Sequence, residues 1–560
     1  MSAPIIALSL LPAAAQSPTA NPKAVLASQL QAAGSNPILK AMVEEMDRSK
    51  SQLQMEDIAR PYYIEYRVSD IDQYGSDAAF GSIRSRSRVR VRIVRAVVRV
   101  GDYKQDSYFG RGMGTVAGVP IGDDVMALRH ALWLATDEAY KAAGEALAEK
   151  QAMLKQFSAP LTPVDDFARS EPLQSTAASA RLDVNESKTE HALCAASALY
   201  KDDPDLQVLT ATAQFTATTE YFVNSEGSVT SQGRTRYLVS LNGMTQAKDG
   251  MILERSPYTL TGTASEIPTE EKILNDTRQM MATLKALREA PIVEEEYRGP
   301  VLISPDAADD VVATLLGENI LGRKPAPGRS GRTVGQFASS YKSRVLPPFV
   351  VVTDDPTRTQ ASHMTLTGSY TFDDEAVRAR EVTVVDKGQL VNFLTSRQPI
   401  EDFPASNGHG RASGGAPPLP YYSVLELKGT ESSSPEDLKQ RLIQMCKDQG
   451  KEYGYRIETL GGLNSPRLLY KVWVKDGHEE LVRGALLGEL DIRGMRNDLI
   501  AVGNDPLASN RLVNLPASVI SPSLLFDELE VRRDDRPKAK LPEYPAPPIT
   551  GGMTRAAGAQ

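Results

Sequence analysis

The chain has 560 residues, of which 41% are hydrophobic and 24% charged, and its formal net charge is −8. This composition is ordinary for a soluble globular protein, and the negative charge argues against general nucleic-acid affinity, because phosphate binding needs a basic surface. The length exceeds what one hydrophobic core usually holds, so we expect two large domains. Two cysteines, Cys194 and Cys446, exclude a disulfide framework and a cysteine-based zinc knuckle.

The first sixteen residues, MSAPIIALSLLPAAAQ, are similar to the end of a secretory signal. Ile5–Leu11 is a short apolar run, and Ala13–Ala15 offers a small-residue cleavage site. The positively charged start of such signals is missing, since the first basic residue is Lys23. The run is too short to span a bilayer. We therefore expect an exported, periplasmic protein, with a cytoplasmic protein as the alternative.

The N-terminal half alternates predicted helices with β-rich stretches. Apolar residues at helical spacing predict a helix over Pro37–Met55, and β-branched and aromatic residues predict a strand over Tyr62–Val68. Further along we expect at least two strands over 78–100, a long helix over 123–157, a surface excursion over 158–179, a second β block over 206–253 and a helix over 265–289. The two β blocks share an order of strand, glycine turn and arginine-containing strand. This order suggests an internal duplication of a helix-plus-meander unit.

A boundary is predicted at 290–300, where prolines and glycine interrupt the pattern. Beyond it, Val301–Ile303 predicts a buried strand. Ser304 and Pro305 predict the start of a helix through Leu316, since serine favours the N-cap and proline the first turn. Further predicted elements are strands within 349–352, 368–394, 455–459 and 468–474, a helix over 435–449 and a last strand within 521–535. We expect an α+β fold with a signal peptide (1–16), an N-terminal helix-plus-β-meander domain (17–290), a sheet-rich C-terminal domain (298–535) and a disordered Pro-rich tail (536–560).

Five arginines alternate along one predicted strand, so that all would project from the same face: Arg84, Arg86, Arg88, Arg90 and Arg92. One interpretation is a solvated face opposite Val89, Val91 and Ile93. The other is contact with an anionic partner, such as the acidic surface of another subunit.

The stretch Gly368–Arg411 places an acidic triplet before an alternating strand, a Lys-Gly turn, a second strand and a glycine-rich Asn-Gly-His-Gly-Arg loop. This order resembles the core of the TldD/PmbA family, metallopeptidase-related proteins also called modulators of DNA gyrase. The segments Pro61–Tyr66, Arg129–Tyr140 and Ser521–Arg533 resemble the signal-bearing branch of the family. The resemblance implies two α+β domains and dimers, often of two paralogs, in which one partner carries zinc and cuts flexible peptides.

In active relatives, two histidines of an HExxxH helix and a later cysteine hold the zinc, and the intervening glutamate acts as the base. The corresponding helix here, Ser304–Leu316, has no histidine and carries Asp306, Asp309 and Asp310 instead. His478-Glu479-Glu480-Leu481-Val482-Arg483 copies the motif except that arginine replaces the second ligand, and a permanent cation would repel a metal. Cys446 lies in a predicted helix, away from the family's cysteine ligand. We therefore predict no metal in this chain and expect zinc in a partner subunit.

The candidate substrate-binding residues lie in the two loops that carry the resemblance: Asp373, Asp374, Glu375, Asn407, Gly408, His409, Gly410 and Arg411. Glycines allow close backbone approach, so the second loop suggests a groove with exposed backbone donors for an extended peptide. The alternative is a plain surface loop. The three carboxylates are interpreted as site-lining or structural groups, because successive residues need not point into one site.

The leading hypothesis is a metal-free, peptide-binding subunit of a proteolytic complex, whose HExxxH-bearing paralog supplies the zinc. Whether the chain is itself an enzyme is left open. It could instead be an active peptidase with an unorthodox site that uses His363, His409 and nearby carboxylates, or a non-enzymatic periplasmic binding or scaffold protein. The expected partners are that paralog or a second copy of the chain, together with a flexible peptide. We expect neither nucleic-acid binding nor stable membrane insertion.

Overall fold

The computed structural model describes residues 22–156, 164–326, 329, 331–488, 490–511, 513 and 515–544. It shows a mixed α+β fold with several sheets, as predicted. The predicted signal peptide lies outside the described residues. In the described part of the chain, no helix has the length and apolar character needed to cross a membrane.

The helices begin and end close to the predicted positions where the sequence carries capping residues. Asn36 caps the second helix by accepting from the amides of Ile38 and Leu39, and Asp124 caps the third in the same way. The helices are α1 (Pro22–Ala33), α2 (Pro37–Gln52), α3 (Val125–Leu154), α4 (Glu186–Ala198), α5 (Glu270–Glu289), α6 (Pro305–Val312), α7 (Pro435–Asp448) and α8 (Ile492–Asn497).

An eight-stranded sheet holds all the strands before residue 262. Its main path has the order β3-β2-β1-β5-β6-β4, with β7 and β8 both paired to β6. The strands are β1 (Tyr63–Ala79), β2 (Ser82–Arg99), β3 (Thr115–Gly118), β4 (Gln174–Thr176), β5 (Leu206–Asn224), β6 (Val229–Gln246), β7 (Ile252–Arg255) and β8 (Tyr258–Thr261).

Two long hairpins form the centre of this sheet. β1 pairs with β2 from Tyr63↔Arg99 to Ala79↔Ser82, and β5 pairs with β6 in the same antiparallel manner. The prediction of at least two new strands over 78–100 is wrong, because the only turn is at Phe80 and Gly81, where both residues have positive φ. Each hairpin lies between two helices in the chain, α2 and α3 or α4 and α5. This repeated order agrees with the proposed duplication, which stays a prediction.

The predicted surface excursion is partly wrong. Residues 157–163 lie outside the described ranges, but Phe167 is buried, with 1% of its surface exposed. Asp166 accepts from Lys150 at 2.5 Å and from Lys324 at 2.7 Å. The segment therefore links helix α3 to the C-terminal part of the chain.

The C-terminal part contains two larger sheets and two small two-stranded ones. The larger sheets have the orders β14-β13-β10-β17-β24-β23 and β20-β19-β18-β9-β25-β21, with β22 also paired to β25. The strands are β9 (Tyr297–Ile303), β10 (Val350–Asp354), β11 (Gln360–Ala361), β12 (Met364–Thr365), β13 (Val382–Asp386), β14 (Gln389–Leu390), β15 (Gly410–Arg411), β16 (Leu419–Pro420), β17 (Val424–Gly429), β18 (Tyr453–Leu460), β19 (Pro466–Trp473), β20 (Glu479–Val482), β21 (Ala485–Leu487), β22 (Leu499–Val502), β23 (Leu507–Asn510), β24 (Ser518–Ser521) and β25 (Leu524–Arg533).

Helix α6 packs between the two larger sheets, against β18 and β24. The predicted helix through Leu316 is correct in extent, but its α-helical part ends at Val312 and a π-helical turn, Ala313–Gly317, completes it. Ser304 occupies the N-cap, yet its side chain makes no capping bond and instead accepts from Arg456 Nη1 at 3.2 Å.

The start of the predicted disordered tail lies along the N-terminal part. The Ala539 amide donates to the Gly250 carbonyl at 3.1 Å, and Gln246 Nε2 donates to the Ala539 carbonyl at 3.1 Å. Residues from 545 onward lie outside the described ranges.

Candidate functional site

The two loops singled out in the sequence lie against each other. The Gly410 amide donates to Asp373 Oδ2 at 2.8 Å, and the Asp374 amide donates to the Gly410 carbonyl at 2.9 Å. The Arg411 Nε approaches Asp374 Oδ2 at 3.4 Å. The predicted residues therefore form one cluster, although 31 residues of chain lie between the two loops.

Asp373 organises its own turn. Its Oδ1 accepts from the amides of Glu375 and Val377 at 3.0 and 2.8 Å. Gly410 leaves room for this carboxylate, because a Cβ there would lie 2.2 Å from Glu375 Oε2 and 3.1 Å from Asp373 Oδ2. Only glycine lets the second loop approach the acidic loop so closely.

The three adjacent carboxylates have different electrostatic environments. Burial raises the pKa of Glu375, and the neighbouring Asp373 raises it further, although the Arg397 amide donates to Glu375 Oε2 at 2.7 Å. Burial acts on Asp374 in the same direction, but the guanidinium groups of Arg234, Arg411 and Arg67 hold its pKa below the usual value. Asp374 is therefore an ionised carboxylate, and Glu375 favours the neutral acid.

His409 belongs to a buried polar group that the sequence analysis missed. Its Nε2 lies 3.0 Å from Asp354 Oδ1, and its Nδ1 lies 3.0 Å from Asn407 Oδ1. Asp354 also accepts from the amide and the hydroxyl of Ser423. Asp354, His409 and Ser423 all have 0% exposure. The aspartate bridges the other two, which differs from the order in a nucleophilic triad, where histidine lies between serine and aspartate.

The second loop does not present free backbone donors, so that part of the prediction is wrong. Its amides bond within the fold: Gly408 to Ser406 Oγ at 3.1 Å, His409 to the Thr395 carbonyl at 3.3 Å and Gly410 to Asp373. The side chain of Asn407 is likewise used, donating to Phe393 and accepting from Thr395. Substrate binding by the eight named residues stays a prediction.

Residues of the N-terminal strands complete the cluster, and sequence reasoning did not find them. Arg397 reaches across to donate to the Ala168 carbonyl at 2.7 Å, to Tyr63 at 3.3 Å and to Glu226 at 2.9 Å. From β6, Arg234 lies 3.5 Å from Asp374. These contacts join positions hundreds of residues apart, so no local pattern reveals them.

Helix α6, which the resemblance predicted to stand in the place of a zinc-binding helix, does not fit zinc. Asp310 is ion-paired with Arg511 at 2.7 Å. Burial raises the pKa of Asp309 well above its usual value, and Asp309 is 1% exposed. A catalytic zinc needs three deprotonated ligands and an open position, with nitrogen or sulfur usually among them. In the ranges that the structure describes, no group of three or more His, Cys, Asp and Glu side chains is arranged to hold a metal.

The remaining histidines and cysteines lie elsewhere. His363 is exposed in the turn between β11 and β12, and no hydrogen bond or ion pair joins it to the described residues of the two loops. His478 occupies the turn before β20 and pairs with Asp476 at 2.5 Å. Cys446 is buried in α7, whereas Cys194 in α4 is half-buried.

The alternating arginines of β2 pair within the chain. They form ion pairs with acidic residues of β1, α4 and the segment before α3: Asp77, Glu190, Asp72, Glu186, Asp70 and Asp123. Val89 and Val91, on the other face, are 45% and 38% exposed. The observed ion pairs favour the solvated face, with its positive charge balanced locally.

Comparisons with known proteins agree with this architecture. Residues 296–533 match the family described as the PmbA/TldA metallopeptidase C-terminal domain. An Archaeoglobus fulgidus protein named Metalloprotease is 28% identical over 156 residues, which are 26% of this chain and 33% of that protein. The chain thus aligns with about a third of that relative's length.

Solved structures share the fold over most of the chain. A Thermotoga maritima protein, whose name calls it a modulator of a DNA gyrase, superposes with a TM-score of 0.57 at 15% identity, covering 87% of this chain and 99% of its own. TldE from Thermococcus kodakarensis superposes with a TM-score of 0.56 at 12% identity, covering 88% and 99%. With residues 296–533 matching the family's C-terminal domain and the fold shared over most of the chain, the C-terminal part of this chain belongs to the PmbA/TldD metallopeptidase family.

Proposed function

We propose that this chain is the metal-free, peptide-binding subunit of a TldD/PmbA-type proteolytic complex. One observation carries the proposal: at the position of the zinc helix, Arg511 neutralises Asp310 at 2.7 Å, and buried Asp309 favours its protonated form. A cation at this helix would have to displace a guanidinium group and ionise a buried acid. Both steps oppose metal binding.

The peptide-binding role is supported by the family membership and by the cluster at Asp373–Glu375. This cluster joins both parts of the chain and contains an ionised Asp374 among arginines. In this proposal the zinc and the hydrolytic water belong to a partner of the same family that carries HExxxH. This chain would hold the extended substrate so that its scissile bond reaches that metal.

Metal content and peptide cleavage test the proposal together. The purified chain is dialysed against zinc and then washed, and its zinc is counted by mass spectrometry. It is also incubated with a casein digest, both alone and with a TldD-type chain that carries HExxxH. We expect no retained zinc, no cleavage by the chain alone, and faster cleavage by the pair than by the HExxxH chain alone.

A matched pair of variants locates any metal that does bind. About one zinc per chain would contradict the proposal, because a hydrolytic site holds one ion in an open coordination shell. Loss of that zinc in Asp309→Asn, but not in the exposed-turn variant His363→Ala, would place it on helix α6. Loss in His363→Ala would instead favour the unorthodox peptidase.

A further inference from the structure

Four arginines come from separate elements, and we call them the arginine cluster: Arg67 of β1, Arg95 of β2, Arg234 of β6 and Arg411 of β15. Arg67, Arg234 and Arg411 act electrostatically on Asp374, and Arg95 is in electrostatic contact with Arg67. Arg67, Arg95 and Arg411 have 2%, 4% and 1% of their surface exposed. Arg234 has 20% of its side chain exposed, so it forms the edge of the cluster that faces solvent.

The cluster holds hydrogen-bond donors with no acceptor among the described residues. These are Arg67 Nε and Nη1, Arg95 Nε, Arg234 Nε and Arg411 Nη1. Buried polar groups are nearly always bonded, and a guanidinium group offers five donors in a fixed plane. Several unused donors in one buried place therefore indicate a site for acceptor oxygens.

Positive charge exceeds negative charge at this place. Asp374 is ionised, whereas burial raises the pKa of Glu220 to about 7 even with Arg67 nearby. Burial lowers the pKa of Arg234, and the positive charge of Arg411 lowers it further. The negative charge of Asp374 offsets this shift only in part. Glu65 is in electrostatic contact with Arg95 and accepts from the Tyr63 hydroxyl at 2.8 Å. Next to Asp374, burial raises the pKa of Asp373 to about 6 and that of Glu375 to about 8, which reduces their negative charge. A further anion would be stabilised by the uncompensated guanidinium groups.

An exposed glycine-rich loop now supplies neutral acceptors to two of these arginines. Arg95 Nη1 donates to the Gly415 carbonyl at 2.7 Å, and Arg67 Nη2 donates to the Ala416 carbonyl. Ser413 and Ala416 are exposed, and Gly414 has φ +50° with open space around it. A carboxylate that replaced these carbonyls would form charge-assisted bonds, which are roughly twice as strong as neutral ones.

We propose that the arginine cluster binds a carboxylate group of the peptide ligand, with residues 412–416 moving aside to admit it. This inference rests on the proposed peptide-binding function and adds its chemical specificity. The carboxylate has two possible sources, the free C-terminus of the peptide and an acidic side chain. Arginine suits both, since its planar fork binds a carboxylate through two parallel bonds.

Three fluorescein-labelled heptapeptides of alanine and glycine test the inference by fluorescence anisotropy. One has a free C-terminal carboxylate, one has a C-terminal amide, and one has the amide and a single internal glutamate. We expect the amide peptide without glutamate to bind at least about tenfold more weakly than an anionic one, a difference of about 1.4 kcal/mol. The stronger of the two anionic peptides identifies the source.

Variants link the preference to the cluster. Arg234→Gln, at the partly exposed edge, is expected to keep the fold and reduce the anionic preference severalfold, and Arg411→Lys is expected to reduce it while keeping the positive charge. The control is Arg84→Gln, an exposed arginine of β2 paired only with Asp77. It should leave the preference unchanged. Equal binding of the anionic and amide peptides would refute the carboxylate site and leave the peptide-binding function standing.

A peptide-free measurement separates the two ideas if no heptapeptide binds. A ligand that binds only the folded state raises the melting temperature. Sodium succinate should therefore raise it more than sodium chloride of equal ionic strength, and Arg234→Gln should abolish the difference. If no peptide binds but this shift is present, the proposed function fails and the carboxylate site remains. If the shift and the peptide preference are both missing, the carboxylate site is refuted.

Discussion

Replacing Arg397 by methionine is expected to weaken the junction between the two parts of the chain by several kcal/mol. The side chain is 1% exposed, and its guanidinium group donates to Ala168, Tyr63 and Glu226. The Cζ atom of Arg397 also lies 4.0 Å from the centroid of the Phe167 ring. Methionine fills much of the volume but leaves these acceptors without their donors.

The magnitude follows from what remains buried. Removing one member of a buried ion pair costs about 3–5 kcal/mol, because the other charge is left uncompensated. Glu226 keeps 16% of its side chain exposed, so we take the lower end, about 3 kcal/mol. The Ala168 carbonyl, which loses both of its donors, adds about 1 kcal/mol. We therefore expect the free energy of unfolding to fall by about 4 kcal/mol.

Urea unfolding followed by tryptophan fluorescence measures this loss in each part separately. The chain has two tryptophans, Trp133 in α3 and Trp473 in β19. Trp133→Phe and Trp473→Phe backgrounds each leave a single reporter. If Arg397 couples the two parts, the transitions coincide in the parent and separate in Arg397→Met.

The control is Arg298→Met, since Arg298 and Glu528 form an ion pair with 68% and 56% of their side chains exposed. An exposed pair contributes about 1 kcal/mol or less. If Arg397→Met is as stable as Arg298→Met, and if its Trp133 and Trp473 transitions coincide, the reasoning is refuted. A double-mutant cycle with Glu226→Gln then apportions the loss, and we expect a coupling energy above about 1 kcal/mol.

Two further outcomes are expected. Gly410→Ala should lower the melting temperature, because its Cβ would overlap Glu375 Oε2 at 2.2 Å, and overpacking of this kind costs about 1–3 kcal/mol. The control is Gly122→Ala, whose Cβ would meet nothing within 4 Å and which should leave the melting temperature unchanged. Equal melting temperatures of the two variants would contradict the close approach of the two loops at Gly410. Burial raises the pKa of Glu220 from 4.5 to about 7 in the folded state. Between pH 4.5 and pH 7 the folded state therefore binds more protons than the unfolded state, so the wild type loses stability as the pH rises through this window. Glu220→Gln lacks this loss, so its stability relative to wild type should rise by about 2 kcal/mol between pH 5 and pH 8 in denaturant titrations, and a difference independent of pH would contradict the raised pKa.

Local patterns predicted α2, α3, α5, α6 and α7 close to their observed bounds, missed α1 and α8, and predicted the strand lengths poorly. Helix α3 follows from the apolar spacing of its buried face and from Asp124 at its N-cap. Two or more strands were expected over 78–100, whereas Ser82–Arg99 is a single strand that carries all five alternating arginines. In the structure those arginines are tolerated because acidic residues of β1 and α4 pair with them.

The candidate site was predicted only in part, for a related reason. The two loops carry glycines and acidic residues that stand out in sequence, and the family resemblance paired them. Their partners Asp354, Arg397 and Arg234 look like ordinary strand or loop residues. Each becomes informative only when the fold brings it to the cluster, as when Arg397 meets Tyr63 across 334 positions. A single sequence contains no local signal for such pairing.

The position of β25 has a consequence for synthesis on the ribosome. This strand pairs with β9 on one side and with β21 and β22 on the other, joining Val531 to Tyr297. An internal strand of the seven-stranded sheet is therefore translated after every other described strand of that sheet. Until β25 emerges, one edge of β9 stays unpaired, and apolar residues that are buried in the complete fold, such as Val301 and Ile303, remain exposed. An exposed apolar strand edge of this kind promotes aggregation. The N-terminal hairpins can fold as they emerge, but the seven-stranded sheet stays incomplete until β25 has been translated.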